Sequence, residues 1–272
     1  MLSHEIAHEI QTPSPEVLAA LKAGTSLSQG LSKFDLRNLD LQKIDLSNAR
    51  LLGVNLSGAN LSGANLHNAD LRGANLSDVN LSHANLQLAC LYRANLRGAN
   101  LDGSNLEDTK FQVAIYDSQT IWPNGFAYKS LGAIGPGANL NGADLNTANL
   151  RYVDLQGANL LGAYLGGADL TGANLQGARL SSADLRRAYL TGAYLCNARL
   201  NGANLAGADL RAADLTDIEF EQIENIADAD FSQVQGLSAE KRSQLLRHSP
   251  EELDTWNSFT RHSTRESLEA PN

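Results

Sequence analysis

The hydrophobic positions of this chain recur every five residues. Leucine occupies every fifth position from Leu31 to Leu106 and again from Leu140 to Leu215, and Phe111 and Phe220 extend the two series by one step. The residue two positions before is usually Ala, the residue one before is usually Asn or Asp, and Gly is common two positions after. A period of five matches neither an α-helix nor a continuous strand. Each unit must therefore contain a change of direction.

A short strand followed by a corner satisfies this pattern. Alternate side chains of a strand share a face, so Ala and Leu point to one side and the Asn or Asp between them points to the other. The next two residues form the corner, where Gly supplies the positive φ that a type II turn requires. Successive coils then pair as in a parallel sheet, about 4.8 Å apart. We expect an all-β solenoid with Ala and Leu inside and with outward Asn residues that tolerate replacement by Asp.

The repeated run SGANLSGANL, from Ser57 to Leu66, resembles the pentapeptide-repeat proteins, and the resemblance covers about residues 31–220. It implies a right-handed quadrilateral parallel β-helix with four pentapeptides per coil. The predominance of Leu looks most like the cyanobacterial members of that family. Because an open solenoid end exposes apolar core and unpaired strand edges, we also expect short α-helical caps at both ends.

The two leucine series are out of register, because the spacing from Phe111 to Leu140 is not a multiple of five. We expect one continuous solenoid from which an aromatic-rich loop is extruded. The predicted segments are an N-terminal helical cap at 1–30, repeats at 31–116, the extruded loop at 117–137, repeats at 138–231, and a C-terminal helical cap and tail at 232–272. Within the last segment we expect a helix from Ser238 to Arg247, a second from Ser249 through Trp256 and Phe259, and a frayed end from residue 263.

Charge and hydropathy narrow the range of partners. The formal net charge is −9, and residues 217–272 hold 12 acidic and 5 basic residues, so no nucleic-acid partner is expected. No apolar run is long enough to cross a bilayer as a helix and no leader is apparent, so we expect no membrane partner and a cytoplasmic location.

Motifs that carry chemistry are weak in this sequence. The run from His4 to His8 spells H-E-x-x-H, a zinc-protease pattern, but nothing precedes it to build a substrate cleft and no third ligand follows. No nucleophile with an activating base can be named. We therefore expect no enzyme activity, no catalytic residue, no cofactor and no metal.

Candidate partner-binding residues are the outward positions that depart from Asn and Asp. Tyr and Arg are enriched at binding hot spots, and the second series of repeats carries a band of them, which we call the Tyr–Arg band: Arg186, Arg187, Tyr189, Tyr194 and Arg199. Trp122, on the predicted loop, either binds a partner or folds back with Phe126 to cover the base of the loop. Arg179 is expected to stack directly below Arg199, a like-charge pair that favours an acidic partner surface.

These observations predict a non-enzymatic scaffold for protein–protein interaction, for example a cytosolic regulatory factor, whose protein partner is unknown. One alternative is an acidic DNA mimic that binds a DNA-handling enzyme such as gyrase. Duplex DNA carries one negative charge per ~1.7 Å, whereas the net charge of residues 1–216 is only −2, with 18 acidic and 16 basic residues. A structural or orphan repeat protein is the third alternative, and it includes a homodimer formed through the C-terminal helices.

Overall fold

A computed structural model of the chain describes residues 35–258 and 260–270. The predicted N-terminal cap and the His4–His8 motif lie outside the described residues. The chain divides into two compact units, Met1–Ile134 and Gly135–Asn272. Within the described ranges, no helix is long and apolar enough to cross a membrane.

The N-terminal unit is a coil of four short strands per turn. Its outward residues form isolated parallel bridges with the outward residues four pentapeptides later. These bridges define four faces. Face 1 contains Asp35, Asn55, Asn75, Asn95, Ile115 and Ile134; face 2 contains Asp40, Asn60, Asn80, Asn100 and Ile121; face 3 contains Asp45, Asn65, Asn85 and Asn105; face 4 contains Arg50, Asp70, Cys90 and Lys110.

Backbone hydrogen bonds connect successive coils and close the corners between strands. Leu61 N–H donates to the carbonyl of Asn80 at 2.7 Å, and Asn80 N–H donates to the carbonyl of Ala59 at 3.0 Å. Within the coil, Ala64 N–H donates back to the carbonyl of Leu61 at 3.0 Å. From Leu51 to Leu101 every inward Ala and Leu of the repeat is essentially inaccessible to solvent. The predicted arrangement of Ala and Leu inside and Asn outside is confirmed.

The outward Asn side chains are structural rather than merely exposed. The Oδ1 of Asn75 accepts from the backbone N–H of Ser77 at 3.2 Å, which supports the corner. Its Nδ2 donates to Oδ1 of Asn55, and Nδ2 of Asn95 donates in turn to Oδ1 of Asn75, each at 3.2 Å. Our expectation that outward Asn tolerates Asp overlooked this ladder. A carboxylate retains the acceptor and loses the donor.

Residues 117–137 differ from the extruded loop that the sequence led us to expect. Ile121 bridges Asn100 and Ile134 bridges Ile115, so the part of this segment up to Ile134 is wound into the coil of the N-terminal unit. One of these two steps is longer than the regular spacing and the other is shorter. A 3₁₀ helix, Tyr128–Ser130, lies between those bridges. The aromatic side chains explain the winding, because Tyr116 is buried and large apolar rings gain more from packing on the core than from exposure.

The C-terminal unit repeats the four-strand coil. Its outward residues bridge in four further columns, faces 5 to 8. Face 5 contains Asn139, Asn159, Arg179, Arg199 and Glu219; face 6 contains Asp144, Tyr164, Asp184, Asn204 and Asn225; face 7 contains Asn149, Asp169, Tyr189, Asp209 and Asp230; face 8 contains Asp154, Asn174, Tyr194, Asp214 and Gln235. The leucine series ends at Phe220, yet bridging continues to Gln235 after one irregular step between Glu219 and Asn225.

The described residues after the last coil form three short helices and a hairpin. They are α1 Ala239–Leu245, α2 Pro250–Leu253, β1 Trp256–Asn257, β2 His262–Ser263 and α3 Thr264–Glu269. Strand β1 pairs antiparallel with β2. Helix α1 lies within the predicted span, with Ser238 as its N-cap.

Two details of the predicted cap were wrong. The helix that begins after Ser249 ends at Leu253, and the carboxylate of Glu252 accepts from the backbone N–H of Ile226 at 3.0 Å, which holds this short helix against the coil. A complete capping box at Ser263 and Glu266 begins helix α3, where we expected a frayed end. Trp256 therefore lies in strand β1, and Phe259 lies outside the described residues.

Candidate interaction surfaces

The interiors of the two units offer little space for chemistry. Leu and Ala side chains fill both coils, and no group of three or more potential metal ligands occurs among the described residues. A cleft of about 420 Å³ lies beside helix α1, with walls from Phe220 to Glu224, from helix α1, and from His248 and Glu252. Nδ1 of His248 lies 3.0 Å from Oε2 of Glu252. The described walls of this cleft contain no Ser, Thr, Cys or Lys, so the pair has no nucleophile to activate there.

The Tyr–Arg band does not form one flat surface. Tyr189 lies on face 7, Tyr194 on face 8 and Arg199 on face 5. Arg186 and Arg187 lie on the corner between faces 6 and 7, because they follow Leu185 directly. The five residues therefore extend around the coil over three faces. A single flat partner can contact only part of the band.

Two arginines of the band have carboxylate partners in the protein itself. Arg186 forms a bidentate pair with Asp184, with Nε 2.8 Å from Oδ1 and Nη2 2.6 Å from Oδ2. Arg199 stacks on Arg179 as expected, but its Nε lies 2.9 Å from Oε2 of Glu219, one coil further along face 5. Glu219 supplies the negative charge that we had expected from the surface of a partner protein. The stacked arginines therefore do not by themselves require an acidic partner.

A tyrosine that our sequence analysis missed lies beside two members of the band. Tyr152, 69% exposed, is the most exposed large hydrophobic side chain of the described part of the chain. It lies on the corner between faces 7 and 8, two coils before the Thr191–Gly192 corner that Tyr189 and Tyr194 flank. The distance along the stack is about 10 Å. We call Tyr152, Tyr189 and Tyr194 the tyrosine edge. The missed signal was the spacing, because Tyr152 and Gly192 are separated by two full turns of four pentapeptides.

Within the tyrosine edge, the guanidinium group of Arg151 lies over the ring of Tyr152. The guanidinium carbon of Arg151 is 5.6 Å from the ring centroid of Tyr152, and Nη1 of Arg151 is 2.9 Å from Oδ2 of Asp169. For Asp169, burial alone would raise the pKa, but hydrogen bonds from Thr171 and Arg151 hold that pKa below its usual range. The carboxylate thereby holds the guanidinium of Arg151 beside the ring, so the cation and the aromatic face are presented together.

The structure places Trp122 in an aromatic cluster. Its ring contacts Phe111 and Tyr116 edge-on, with centroids 5.5 and 5.6 Å apart, and stacks on Tyr128 at 4.8 Å. Phe126 packs edge-on against Phe111 as well. The covering alternative for Trp122 and Phe126 agrees with these contacts. The indole N–H of Trp122 is buried without an acceptor among the described groups.

The repeat and the coil identify the class of protein. The family model described as pentapeptide repeats matches the chain in 8 copies, over residues 31–68, 40–78, 69–112, 137–160, 148–187 and 178–217. The chain belongs to the pentapeptide-repeat family. Repeats of this family form right-handed β-helices, so the predicted fold class is confirmed as a right-handed β-helix. Members of the family are generally structural or interaction proteins without enzyme activity.

Several solved structures are similar to this chain. HetL, a pentapeptide repeat protein involved in heterocyst differentiation regulation from the cyanobacterium Nostoc sp. strain PCC 7120, is 30% identical, with 83% of this chain and 98% of HetL covered and a TM-score of 0.25. A pentapeptide repeat protein from the Arabidopsis thaliana thylakoid lumen is 33% identical over 49% of this chain and 88% of its own, with a TM-score of 0.28. QnrB1, a plasmid-mediated fluoroquinolone resistance protein, is 18% identical over 77% and 96%, with a TM-score of 0.41. No curated protein matches the chain.

Proposed function

We propose that this protein is a non-enzymatic scaffold of the cytoplasm that binds a protein partner through the tyrosine edge. The observation that carries the proposal is the placement of Tyr152 on one corner of the coil and of Tyr189 and Tyr194 on the two faces that flank this corner, each exposed by 44% or more. Tyrosine provides a large contact area with only two side-chain torsions to order, and it is enriched at binding hot spots. A filled interior leaves outward side chains as the means of recognition.

The backbone beneath the tyrosine edge is held in place before binding. Tyr189 N–H donates to the carbonyl of Ala168 and Tyr194 N–H donates to the carbonyl of Ala173, both at 2.9 Å. A partner that binds there does not have to order the backbone, and this lowers the entropic cost of association. Arg186, Arg187 and Arg199 lie on neighbouring corners and faces, and we assign them to the rim of the contact.

Affinity capture with quantitative mass spectrometry tests this proposal. Wild-type protein and the triple variant Tyr152→Ala/Tyr189→Ala/Tyr194→Ala are immobilised and exposed to lysate of the native host. We expect recovery of the partner to fall by at least about 30-fold, because the loss of a hot-spot residue costs about 2 kcal/mol or more. The matched control is Tyr164→Ala on face 6, which removes a tyrosine of similar exposure, 53%, away from the edge.

The outcomes separate the candidate surfaces. A partner that both variants retain at the wild-type level would overturn the assignment to the tyrosine edge. Loss of the partner with Trp122→Ala alone would move the contact to the aromatic cluster of the N-terminal unit. Loss with Arg186→Ala/Arg187→Ala alone would restrict it to the corner between faces 6 and 7.

Two other functions have less support. An acidic DNA mimic needs dense negative charge, whereas most outward positions of faces 1 to 3 carry uncharged Asn; absence of any effect on gyrase supercoiling would exclude it. For a homodimer through the C-terminal segment, Trp256 on strand β1 is 57% exposed and is available for contact. Sedimentation of wild type beside Trp256→Ser tests the dimer.

A further inference from the structure

Face 4 of the N-terminal unit differs from the other three faces in both charge and polarity. Faces 1 to 3 begin with Asp35, Asp40 and Asp45 and continue with three Asn residues each, after which faces 1 and 2 end in Ile, whereas face 4 reads Arg50, Asp70, Cys90, Lys110. The residues of face 4 therefore cannot form the Asn side-chain ladder that connects successive coils on faces 1 and 3. Two of its four outward groups are cations and one is a thiol.

The corner that follows face 4 adds apolar and basic side chains in register. Backbone hydrogen bonds from Gly53 N–H to Arg72 and from Gly73 N–H to Tyr92, both at 2.9 Å, stack this corner coil by coil. Leu52 is 49% exposed and Tyr92 is 36% exposed. We call this surface the basic strip and define it by Arg50, Leu52, Arg72, Tyr92, Arg93 and Lys110.

The positive charge of the unit is concentrated on this strip. Residues 35–134 contain nine acidic and eight basic residues, and four of those bases but only one of the acids belong to face 4 and its following corner. The single acid, Asp70, is bound by Arg72 through two hydrogen bonds of 2.7 Å. Within the described part of the chain, no carboxylate oxygen lies within 4.0 Å of a charged nitrogen of Arg50, Arg93 or Lys110, although the charge of Arg50 helps to lower the pKa of Asp70.

The geometry fits an extended segment of chain. Arg50 and Lys110 are separated by three coil steps, or about 14 Å, a span that about four extended residues cover. The guanidinium carbon of Arg93 lies 5.2 Å from the ring centroid of Tyr92, so a cation and an aromatic ring are presented together along the strip. A peptide with negative charges at its two ends and apolar side chains between them would complement such a surface.

We propose that the basic strip is a docking site for an extended acidic peptide segment of another protein, with carboxylates toward Arg50, Arg93 and Lys110 and with apolar side chains against Leu52 and Tyr92. The inference adds a second surface, on a different unit, to the scaffold function proposed above. It uses none of the residues of the tyrosine edge, so either proposal can fail without the other.

A titration with purified components tests the basic strip. The probe is a fluorescein-labelled peptide of about eight residues in which Glu and Leu alternate in pairs, and fluorescence anisotropy measures its dissociation constant for the full chain. We expect Arg50→Gln/Lys110→Gln to weaken binding about fivefold, since each exposed ion pair contributes modestly. We expect Leu52→Ser/Tyr92→Ser to weaken it by a similar factor, and higher ionic strength to weaken wild-type binding.

The matched control is Lys43→Gln/Arg97→Gln, which removes the same net charge from other corners of the same unit and should leave the dissociation constant unchanged. Equal weakening by both charge-removing double variants would overturn the proposal, because it would show nonspecific attraction. Absence of saturable binding would overturn it as well. Tighter binding of labelled duplex DNA than of the peptide would reassign the strip to nucleic acid.

Discussion

The hydroxyl of Ser267 on helix α3 accepts a hydrogen bond from the backbone N–H of Phe231 at 3.0 Å. Phe231 belongs to the last coil, whose edge has no further coil to pair with. Side chains of the C-terminal segment bind other groups of the same edge: Thr264 donates to the carbonyl of Ile226 at 3.0 Å, and Asn257 donates to the carbonyl of Asp228 at 2.7 Å. The segment thus ends the solenoid by pairing its open edge, which would otherwise invite pairing with another chain.

Removal of residues 263–270 should expose this edge and the apolar core beneath it. We expect the truncated protein to form concentration-dependent oligomers in size-exclusion chromatography, because unpaired strand edges associate with one another. The control is Ser267→Ala, which loses two buried hydrogen bonds, one from Phe231 N–H and one to the carbonyl of Thr264, and should lower the free energy of unfolding by about 1–3 kcal/mol while the protein stays in its wild-type association state. A truncated protein that elutes as wild type does would contradict this role for α3.

Leu71→Asp should unfold the coils around it. Leu71 is completely buried, and a carboxylate in that position would have no partner, so the cost would be a large fraction of the stability of a typical domain. Circular dichroism and chemical denaturation measure the effect. A folded protein with wild-type stability would refute the assignment of the leucine series to the interior.

Asn75→Asp should cost about 1 kcal/mol, because the donor to Asn55 is lost and a carboxylate faces the Oδ1 of that residue. The effect should shrink when the new carboxyl is protonated, since it then regains a donor. Denaturant titrations at about pH 7 and about pH 3 compare the two states. An equal loss of stability at both pH values would argue against the loss of the Asn side-chain ladder as its cause.

Gly172→Ala should lower stability more than Gly157→Ala. Both glycines have φ of +64°, so both variants incur the cost of a left-handed Ala, about 1 kcal/mol or more. Around Gly157 a new Cβ meets no atom within 4 Å, whereas at Gly172 it would lie 2.5 Å from Cε1 of Tyr152. The double variant Gly172→Ala/Tyr152→Ala should match Gly157→Ala in thermal denaturation. Equal losses in the two single variants would show that the Tyr152 ring moves aside without cost.

Asp209 and Asp228 should affect the pH dependence of stability in opposite directions. Burial alone would raise the pKa of Asp209, but hydrogen bonds from the side chain and backbone of Arg211 outweigh it and hold that pKa below its usual range. The contribution of the Asp209 carboxylate to stability is present above about pH 4, the pKa of Asp in the unfolded chain. It is lost as pH falls through the lower pKa of the folded state. We therefore expect Asp209→Asn to be less stable than wild type at neutral pH, with the difference declining below about pH 4 in urea denaturation.

Burial raises the pKa of Asp228, and Arg187 offsets this only in part. The contribution of Asp228 is fully present below its unfolded pKa and is lost as pH rises through the higher folded pKa. Its Oδ1 is buried without a hydrogen bond among the described groups, so the ionised form is unfavourable at neutral pH. Asp228→Asn should be more stable than wild type at about pH 7 and not at about pH 3 in the same denaturation series. A loss of stability at neutral pH would indicate that the carboxylate is needed by Arg187.

The five-residue period alone determined which side chains are inside and which are outside, because alternation within a strand leaves no other way to bury both Ala and Leu. The sequence also placed Arg179 below Arg199, but only the tertiary structure showed that Glu219 pairs with Arg199. Tyr152, on the corner between faces 7 and 8, and Tyr194, on face 8, are distant in sequence and lie on the same side of the coil only because the coil returns to the same position after every four pentapeptides. The winding of residues 117–137 and the formation of α3 could not be predicted either, because irregular segments without a period take the conformation that best covers an exposed core and pairs an open edge, and both of those surfaces are created by the folded coils.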